Sequence, residues 1–242
     1  MNILGIIPAR FASTRFPGKP LVVIEGKTMI ERVYEQANNA ERLFAVVVAT
    51  DDERIFNHVI SFGGKAVMTR SDHQSGTDRC AEAMLAFDKI DVVINIQGDE
   101  PMLDPGQIDQ LALCFEDPLT EIATLIKKIT HTEDLDSTNI VKVVQNCNNQ
   151  AIYFSRTPIP FLRGTIKTEW LVKQNYFKHI GLYGYRLDIL QKISLLKPSF
   201  LELSESLEQL RWLENGISIR LAETLIETQA IDSPEDLQKL RF

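Results

Sequence analysis

Between Pro8 and Leu21 the chain reads Pro-Ala-Arg-Phe-Ala-Ser-Thr-Arg-Phe-Pro-Gly-Lys-Pro-Leu, which gathers Arg10, Arg15 and Lys19 into one short polar stretch. No acidic residue occurs from Met1 to Ile24, so this positive charge is local, in a chain whose formal net charge is -7. Three cations in a loop after a strand suit an anion of several charges, such as a triphosphate. In open α/β sheets such loops present basic side chains and backbone N–H groups to ligands. The spelling is not a G-x-x-x-x-G-K-[ST] loop, because Lys19 precedes Pro20, nor is it G-x-G-x-x-G. Taken alone, a solvated basic loop explains the charges equally well.

Other segments combine chemistry-bearing residues with simple structural readings. Thr69 to Arg79 (Thr-Arg-Ser-Asp-His-Gln-Ser-Gly-Thr-Asp-Arg) reads as a helix start, with Ser75 or Thr77 as the cap and Gly76 easing the turn. Asn95 to Pro101 (Asn-Ile-Gln-Gly-Asp-Glu-Pro) ends an apolar strand and places the Asp99 carboxylate where it could hold Mg²⁺ against phosphate oxygens. Ile231 to Leu237 is another helix start, with Asp232 and Ser233 before Pro234 and acids in the first turn. Arg156 can grip a carboxylate through two parallel hydrogen bonds or join a surface ion pair. His179 suits a core position as well as a site, and Glu208 and Gln209 suit the polar side of a helix.

The elements that must position these residues follow from hydrophobic period. Strand-like runs occur at Ile3 to Pro8, Ala45 to Ala49, Lys65 to Thr69, Asp91 to Ile96, Ile122 to Ile126 and Val141 to Val144. Helical patterns separate the early ones, at Thr28 to Ala40, Glu53 to Phe62, Thr77 to Phe87 and Ile108 to Phe115. Continuous apolar runs imply strands covered on both faces, hence an α/β, doubly wound, mostly parallel Rossmann-like sheet. After Val144 the alternation loosens. Ala151 to Ser155 and Ile180 to Arg186 read as strands around an irregular Pro-containing segment, an inserted β-rich arm within a single domain spanning 1–242, at about 145–190. A helix from Leu203 to Asn215, burying Leu203, Leu207, Leu210 and Leu213, a strand at Ser218 to Ala222 and a short final helix complete the expectation.

Composition limits the classes. The 242 residues, 44% hydrophobic and 24% charged, are ordinary for a folded domain. The apolar runs are strand-length, and Arg10 interrupts the first of them, so neither a membrane span nor a signal peptide is expected, which places the protein in the cytoplasm. The acidic balance argues against general nucleic-acid binding. Cys80, Cys114 and Cys147 are odd in number and dispersed, so they are expected to pack as small hydrophobes rather than form a disulfide framework or zinc cluster.

The segment Pro8 to Leu21 resembles the nucleotide-binding loop of the 3-deoxy-manno-octulosonate (Kdo) cytidylyltransferases, whose pattern is P-A-R-x-x-S-T-R-x-P-G-K-P-L. His73 to Arg79 and Gln97 to Pro101 are similar to that family's H-x-S-G-T-[DE]-R and Q-G-D-E-P. Ile231 to Leu237 resembles its D-T-P-E-D-L, with Ser233 in place of threonine. The resemblance spans nearly the whole chain and is weakest at Glu116 to Asn139 and Phe161 to Gln174. It implies transfer of CMP from CTP to the anomeric hydroxyl of Kdo. Arg10, Ser13, Arg15 and Lys19 would bind the triphosphate, and Ser75, Gly76 and Arg79 the nucleoside. Asp99 and Asp232 would hold Mg²⁺. Gln97, Arg156, His179, Tyr183, Tyr185, Glu208 and Gln209 would meet the sugar. A homodimer joined through the region after Val144 is implied as well. An 8-amino-Kdo acceptor is the alternative. A sialic acid synthetase fits less well, because its loop runs S-K-G-I-P-x-K-N. A glycosyltransferase would need D-x-D after a strand, whereas Asp134-Leu135-Asp136 sits in a helix-like region. A silent nucleotide-binding protein could lose its metal carboxylates, and both are present.

Overall fold

The structure is a computed structural model and describes residues 1–12, 16–227, 230–231 and 233–237. The strands are β1 (Ile3–Ala9), β2 (Val23–Ile24), β3 (Lys27–Thr28), β4 (Ala45–Thr50), β5 (Ala66–Met68), β6 (Val92–Asn95), β7 (Ile122–Lys128), β8 (Lys142–Gln145), β9 (Ala151–Ser155), β10 (Phe177–Arg186) and β11 (Ile219–Glu223). The helices are α1 (Met29–Asn38), α2 (Glu53–Ser61), α3 (Gly76–Ala83), α4 (Pro105–Leu113), α5 (Thr132–Asp136), α6 (Trp170–Lys173), α7 (Leu187–Ile193), α8 (Phe200–Glu205), α9 (Gln209–Glu214) and α10 (Pro234–Leu237).

The main sheet runs β11-β7-β10-β6-β1-β4-β5, with β8 hydrogen-bonded to β10 and β9 to β8. Pairs β1/β4, β1/β6, β4/β5 and β7/β11 are parallel, whereas β10 runs antiparallel to both β6 and β7. This is the mostly parallel α/β sheet expected from the apolar runs. β1 shows why its residues had to be continuous: Leu4 and Ile6 enter one core, Ile3 and Ile7 the other, on opposite faces of the strand. Each such side chain contributes about 1.5–3 kcal/mol through burial. The antiparallel hairpin β8–β9 continues the sheet beyond β10. A small separate core of Ile129, Leu135, Trp170 and Tyr176 packs the irregular segment between β9 and β10.

Helix starts follow local chemistry. Thr28 accepts from Glu31 N–H, Asp52 from Arg54 N–H and Ser75 from Asp78 N–H. Asp104 caps α4, whose first residue is Pro105.

The expected helix from Leu203 to Asn215 is two helices. Ser206 adopts left-handed dihedrals (φ 52°, ψ 49°) and ends α8, and α9 begins at Gln209. Glu202 explains the break. Its carboxylate accepts Ser199 N–H at the start of α8 and also the Arg211 guanidinium (Nε to Oε2, 2.7 Å) of α9, which fixes the two helices at an angle. Leu207 and Leu210 are buried as expected, but Leu203 is 68% exposed, because the turn at Ser206 rotates α8 away from the core face. Cys80 and Cys114 are buried in the cores, whereas Cys147 is exposed, in the turn between β8 and β9.

Candidate active site

Three chain reversals at the carboxyl ends of β1 and β6 and the start of α3 enclose a cavity of about 250 Å³. Arg10, Lys19, Ser75, Gly76, Arg79, Gln97 and Asp99 all line it, although they come from three segments distant in sequence. The close approach rests on missing side chains. A Cβ on Gly98 would stand 3.1 Å from Pro8 O, and one on Gly76 would stand 3.2 Å from Pro8 Cγ. Both glycines let the β6 and α3 turns close on the end of β1.

The basic loop is shaped at its base by Gly18 (φ 72°), whose N–H donates to Phe11 O at 3.0 Å. Phe11 lies beneath, and the Arg54 guanidinium covers its ring at 3.4 Å from the centroid, a cation–π contact. This closure directs Lys19 into the cavity, where its Nζ donates to Asp99 Oδ2 at 2.8 Å. Lys19 and Asp99 side chains are 14% and 28% exposed, so the pair is shielded yet reachable. Arg10 is exposed at the mouth. Ser13, Arg15 and Asp232 lie outside the described residues. Ile231, immediately before Asp232, donates its N–H to Asp99 O at 2.9 Å and is fully buried against Ile24 and Met29.

Ser75 Oγ accepts Asp78 N–H at 3.1 Å, so this residue both caps α3 and faces the cavity. The Arg79 guanidinium is buried and engaged by the protein: Nη1 donates to Thr69 Oγ1 at 2.5 Å and Nη2 pairs with Asp51 at 3.2 Å. It therefore holds the turn that presents Ser75 and Gly76. His73, beside them, pairs with Glu82, and that contact together with the Arg70 N–H holds the Glu82 carboxyl below its ordinary range against the opposing effect of burial. Gln97 Nε2 donates to Gly181 O at 3.0 Å and so joins the cavity floor to β10.

The residues expected on the sugar side form a second group around β10 and α9. Tyr183 and Tyr185 are buried, their rings stacked at 6.0 Å, and both stand edge-on to Trp212 at 5.2 and 5.5 Å. Their hydroxyls and Trp212 Nε1 make no hydrogen bond of good geometry. Burial and the nearby Glu208 carboxylate push both phenols well up. Glu208 Oε2 accepts the Thr77 hydroxyl at 2.8 Å, and its carboxyl is raised by burial against the lowering effect of Thr77 and Ser75. Gln209, next along, is buried. His179 is half-buried, with Nε2 3.0 Å from Thr124 Oγ1 and its ring against Phe154 and Tyr183; desolvation pushes its pKa down to about 3, so it is neutral near pH 7. Arg156 is held apart by main-chain oxygens: Nε by Glu205 O at 2.7 Å, Nη1 by Thr138 O at 3.0 Å and Nη2 by Ser206 O at 3.2 Å.

Two residues of this arrangement were not singled out for chemistry in the sequence. Thr77 reads only as a helix-cap candidate, yet its buried hydroxyl faces Glu208, a partner 131 positions away that no local pattern reveals. Asn95, an amide at the end of an otherwise apolar strand, is buried with Oδ1 unpartnered and its Nδ2 beside Gly76. A polar residue closing a buried strand was the available signal.

An open, mostly parallel sheet with a basic, carboxylate-containing crevice at its strand ends defines a nucleotide-handling α/β enzyme. The model of the cytidylyltransferase family matches residues 4–219. The 3-deoxy-manno-octulosonate cytidylyltransferase of Cytophaga hutchinsonii is 56% identical over 242 residues, covering 99% of this chain and 96% of the relative. That of Bacteroides thetaiotaomicron is 55% identical, covering 98% and 96%. A solved structure of CMP:2-keto-3-deoxy-manno-octonic acid synthetase complexed with CTP superposes with a TM-score of 0.91 at 45% identity, covering 99% of this chain and 96% of that one. The chain belongs to the cytidylyltransferase family and, within it, to the 3-deoxy-manno-octulosonate cytidylyltransferases.

Proposed function

We propose that this protein transfers CMP from CTP to the anomeric hydroxyl of Kdo, giving CMP-Kdo and pyrophosphate and so activating Kdo for lipopolysaccharide synthesis. The observation that carries the reading is the Lys19–Asp99 pair at the floor of a cavity formed by the basic loop, the Ser75–Gly76 turn and Gln97–Asp99, in a chain of this family. Arg10, Lys19 and the α3 start bind the triphosphate and nucleoside. Lys19, carried on a loop closed at Phe11 and Gly18, meets the charge that grows on the departing pyrophosphate. Preformed donors of this kind act without reorganisation during the reaction. Attack is in line on the α-phosphorus: the anomeric oxygen forms the new P–O bond as the bond from the α-phosphorus to pyrophosphate breaks, and the hydroxyl proton passes to solvent.

Magnesium suits the donor set. Asp99 offers a hard, partly exposed carboxylate oxygen beside the phosphate-binding cations, and Mg²⁺ takes one or two carboxylates together with substrate phosphate oxygens. The bound ion supplies neutralisation of phosphate charge. Asp99 and Asp232 would hold it, and Lys19, now paired with Asp99, would turn to phosphate oxygens.

On the sugar side, Gln97, Tyr183, Tyr185, Glu208 and Gln209 recognise the hydroxyls of Kdo, and Arg156 would meet its carboxylate by turning from the main-chain oxygens that hold it. His179, neutral and half-buried, acts as a hydrogen-bonding group. The protein works in the cytoplasm as a homodimer; among the described residues no helix is long and apolar enough to cross a membrane. The test is pyrophosphate release with CTP and Mg²⁺ and a panel of Kdo, 8-amino-Kdo and sialic acid. Turnover with Kdo above the others supports the reading, and none with any acceptor overturns it.

A further inference from the structure

The nucleotide cavity and the sugar-side cluster are joined by side chains at the first turn of α3. Ser75 faces the cavity, while Thr77, two residues on and buried, donates its hydroxyl to Glu208 Oε2 at 2.8 Å. Helix geometry turns successive residues by about 100°, so one turn presents one residue to each site. Glu208 has no helix of its own to hold it in place: it precedes α9, and its side chain is fixed by partners from α3. Its nearest cation, Arg211, stands 3.9 Å from the other carboxylate oxygen and is already committed to Glu202. A partly buried carboxylate in that position, 28% exposed, leans on its hydroxyl donors for both orientation and charge.

We propose that Thr77 is a positioning residue of the acceptor site, tying Glu208 to the turn that binds the nucleotide, so that acceptor affinity depends on the Thr77 hydroxyl. The proposal rests on the reading of Glu208 as a sugar contact and goes beyond it, because Thr77 itself touches neither the cavity nor the sugar. The Tyr183 and Tyr185 phenols and the Cys80 thiol facing Glu208 are uncharged near neutral pH. Asp78 and Cys80 come from α3, Tyr183 and Tyr185 from β10 and Arg211 from α9; Ser75 supplies the second hydroxyl. Burial raises the Glu208 carboxyl and the Thr77 hydrogen bond lowers it. Without that bond the carboxyl titrates higher still, and the acid limb of kcat/KM for the sugar moves to higher pH.

The experiment compares the full-length wild type with Thr77→Val, which keeps the shape, and Thr77→Ser, which keeps the hydroxyl, by initial rates of pyrophosphate release against Kdo and CTP. Loss of a hydrogen bond to a charged group predicts that Thr77→Val raises KM for Kdo about tenfold while KM for CTP changes by less than about twofold. The acid limb moves upward in Thr77→Val, and Thr77→Ser restores both. An unchanged Kdo KM, an equal rise in both KM values, or a Thr77→Ser no better than Thr77→Val overturns the proposal. A ¹³C NMR titration of the Glu208 carboxyl, assigned with Glu208→Gln, reads the tie without turnover. A higher midpoint in Thr77→Val than in wild type supports it even where the wild type turns over no Kdo and the functional reading falls, and equal midpoints overturn it.

Discussion

At the scale of single residues, Lys19 and Asp99 carry opposite demands. Each neutralises the other at 2.8 Å, and each is proposed to leave that pair for substrate or metal. Their contribution to folding is small, since a partly exposed pair is worth about 0–1 kcal/mol. Lys19→Met is therefore expected to lower kcat by about 10²–10³-fold, as removal of one preorganised donor does. Asp99→Asn is expected to abolish turnover. Thermal unfolding and circular dichroism, measured beside the rates, should stay close to wild type for both; loss of structure would assign the residues to folding instead. The segments holding these residues were readable in the sequence because their chemistry is local: charge without acids from Met1 to Ile24, and a carboxylate at a strand end. The role of Arg79 was not. Its guanidinium lies under the turn, bound to Asp51 and Thr69, and only the fold brings those partners together.

At the scale of elements, the strands and early helices were visible because period and capping are properties of neighbours in sequence. The break between α8 and α9 was not, since nothing in a serine announces a left-handed backbone. Ser206 holds φ 52° because Glu202 is shared between Ser199 and Arg211 on either side of the turn. Ser206→Gly is expected to be neutral or to stabilise by up to about 1 kcal/mol, because glycine occupies this region without steric cost. Ser206→Val is expected to destabilise by about 1–2 kcal/mol for the converse reason. Urea unfolding midpoints of the two variants check the sign. Gly184, in β10, has a different constraint: a Cβ there would lie 2.5 Å from Phe115 Cε2. Gly184→Ala should cost about 1–3 kcal/mol by overpacking and should be partly rescued by Phe115→Leu, a double-mutant measurement.

At the scale of the whole molecule, one desolvated, half-buried histidine links stability to pH. The folded pKa of His179 is about 3, and its unfolded value is near 6.5. Between those values the unfolded chain binds the extra proton, so stability rises with pH and is lost as pH falls through that window. The slope from this residue approaches about 1.4 kcal/mol per pH unit well inside it. Urea midpoints at pH 7, 6 and 5 should fall for the wild type and fall less for His179→Gln. Equal slopes would show that His179 charges without cost in the folded protein.

β10 runs antiparallel to β6, β7 and β8 and carries His179, Tyr183 and Tyr185, whereas the phosphate loop and the Asp99 turn hang from the parallel strands β1 and β6. Apart from Gln97 and the Thr77–Glu208 tie, the donor and acceptor halves of the proposed reaction thus have separate structural owners that meet along a single ladder, where Tyr183 lies opposite Asn95. Such a division lets inheritance act on the halves independently. Substitutions on the inward face of one inverted strand and on the helix beyond it can retune which sugar is accepted, while the machinery that grips the nucleotide passes unchanged from ancestor to descendant.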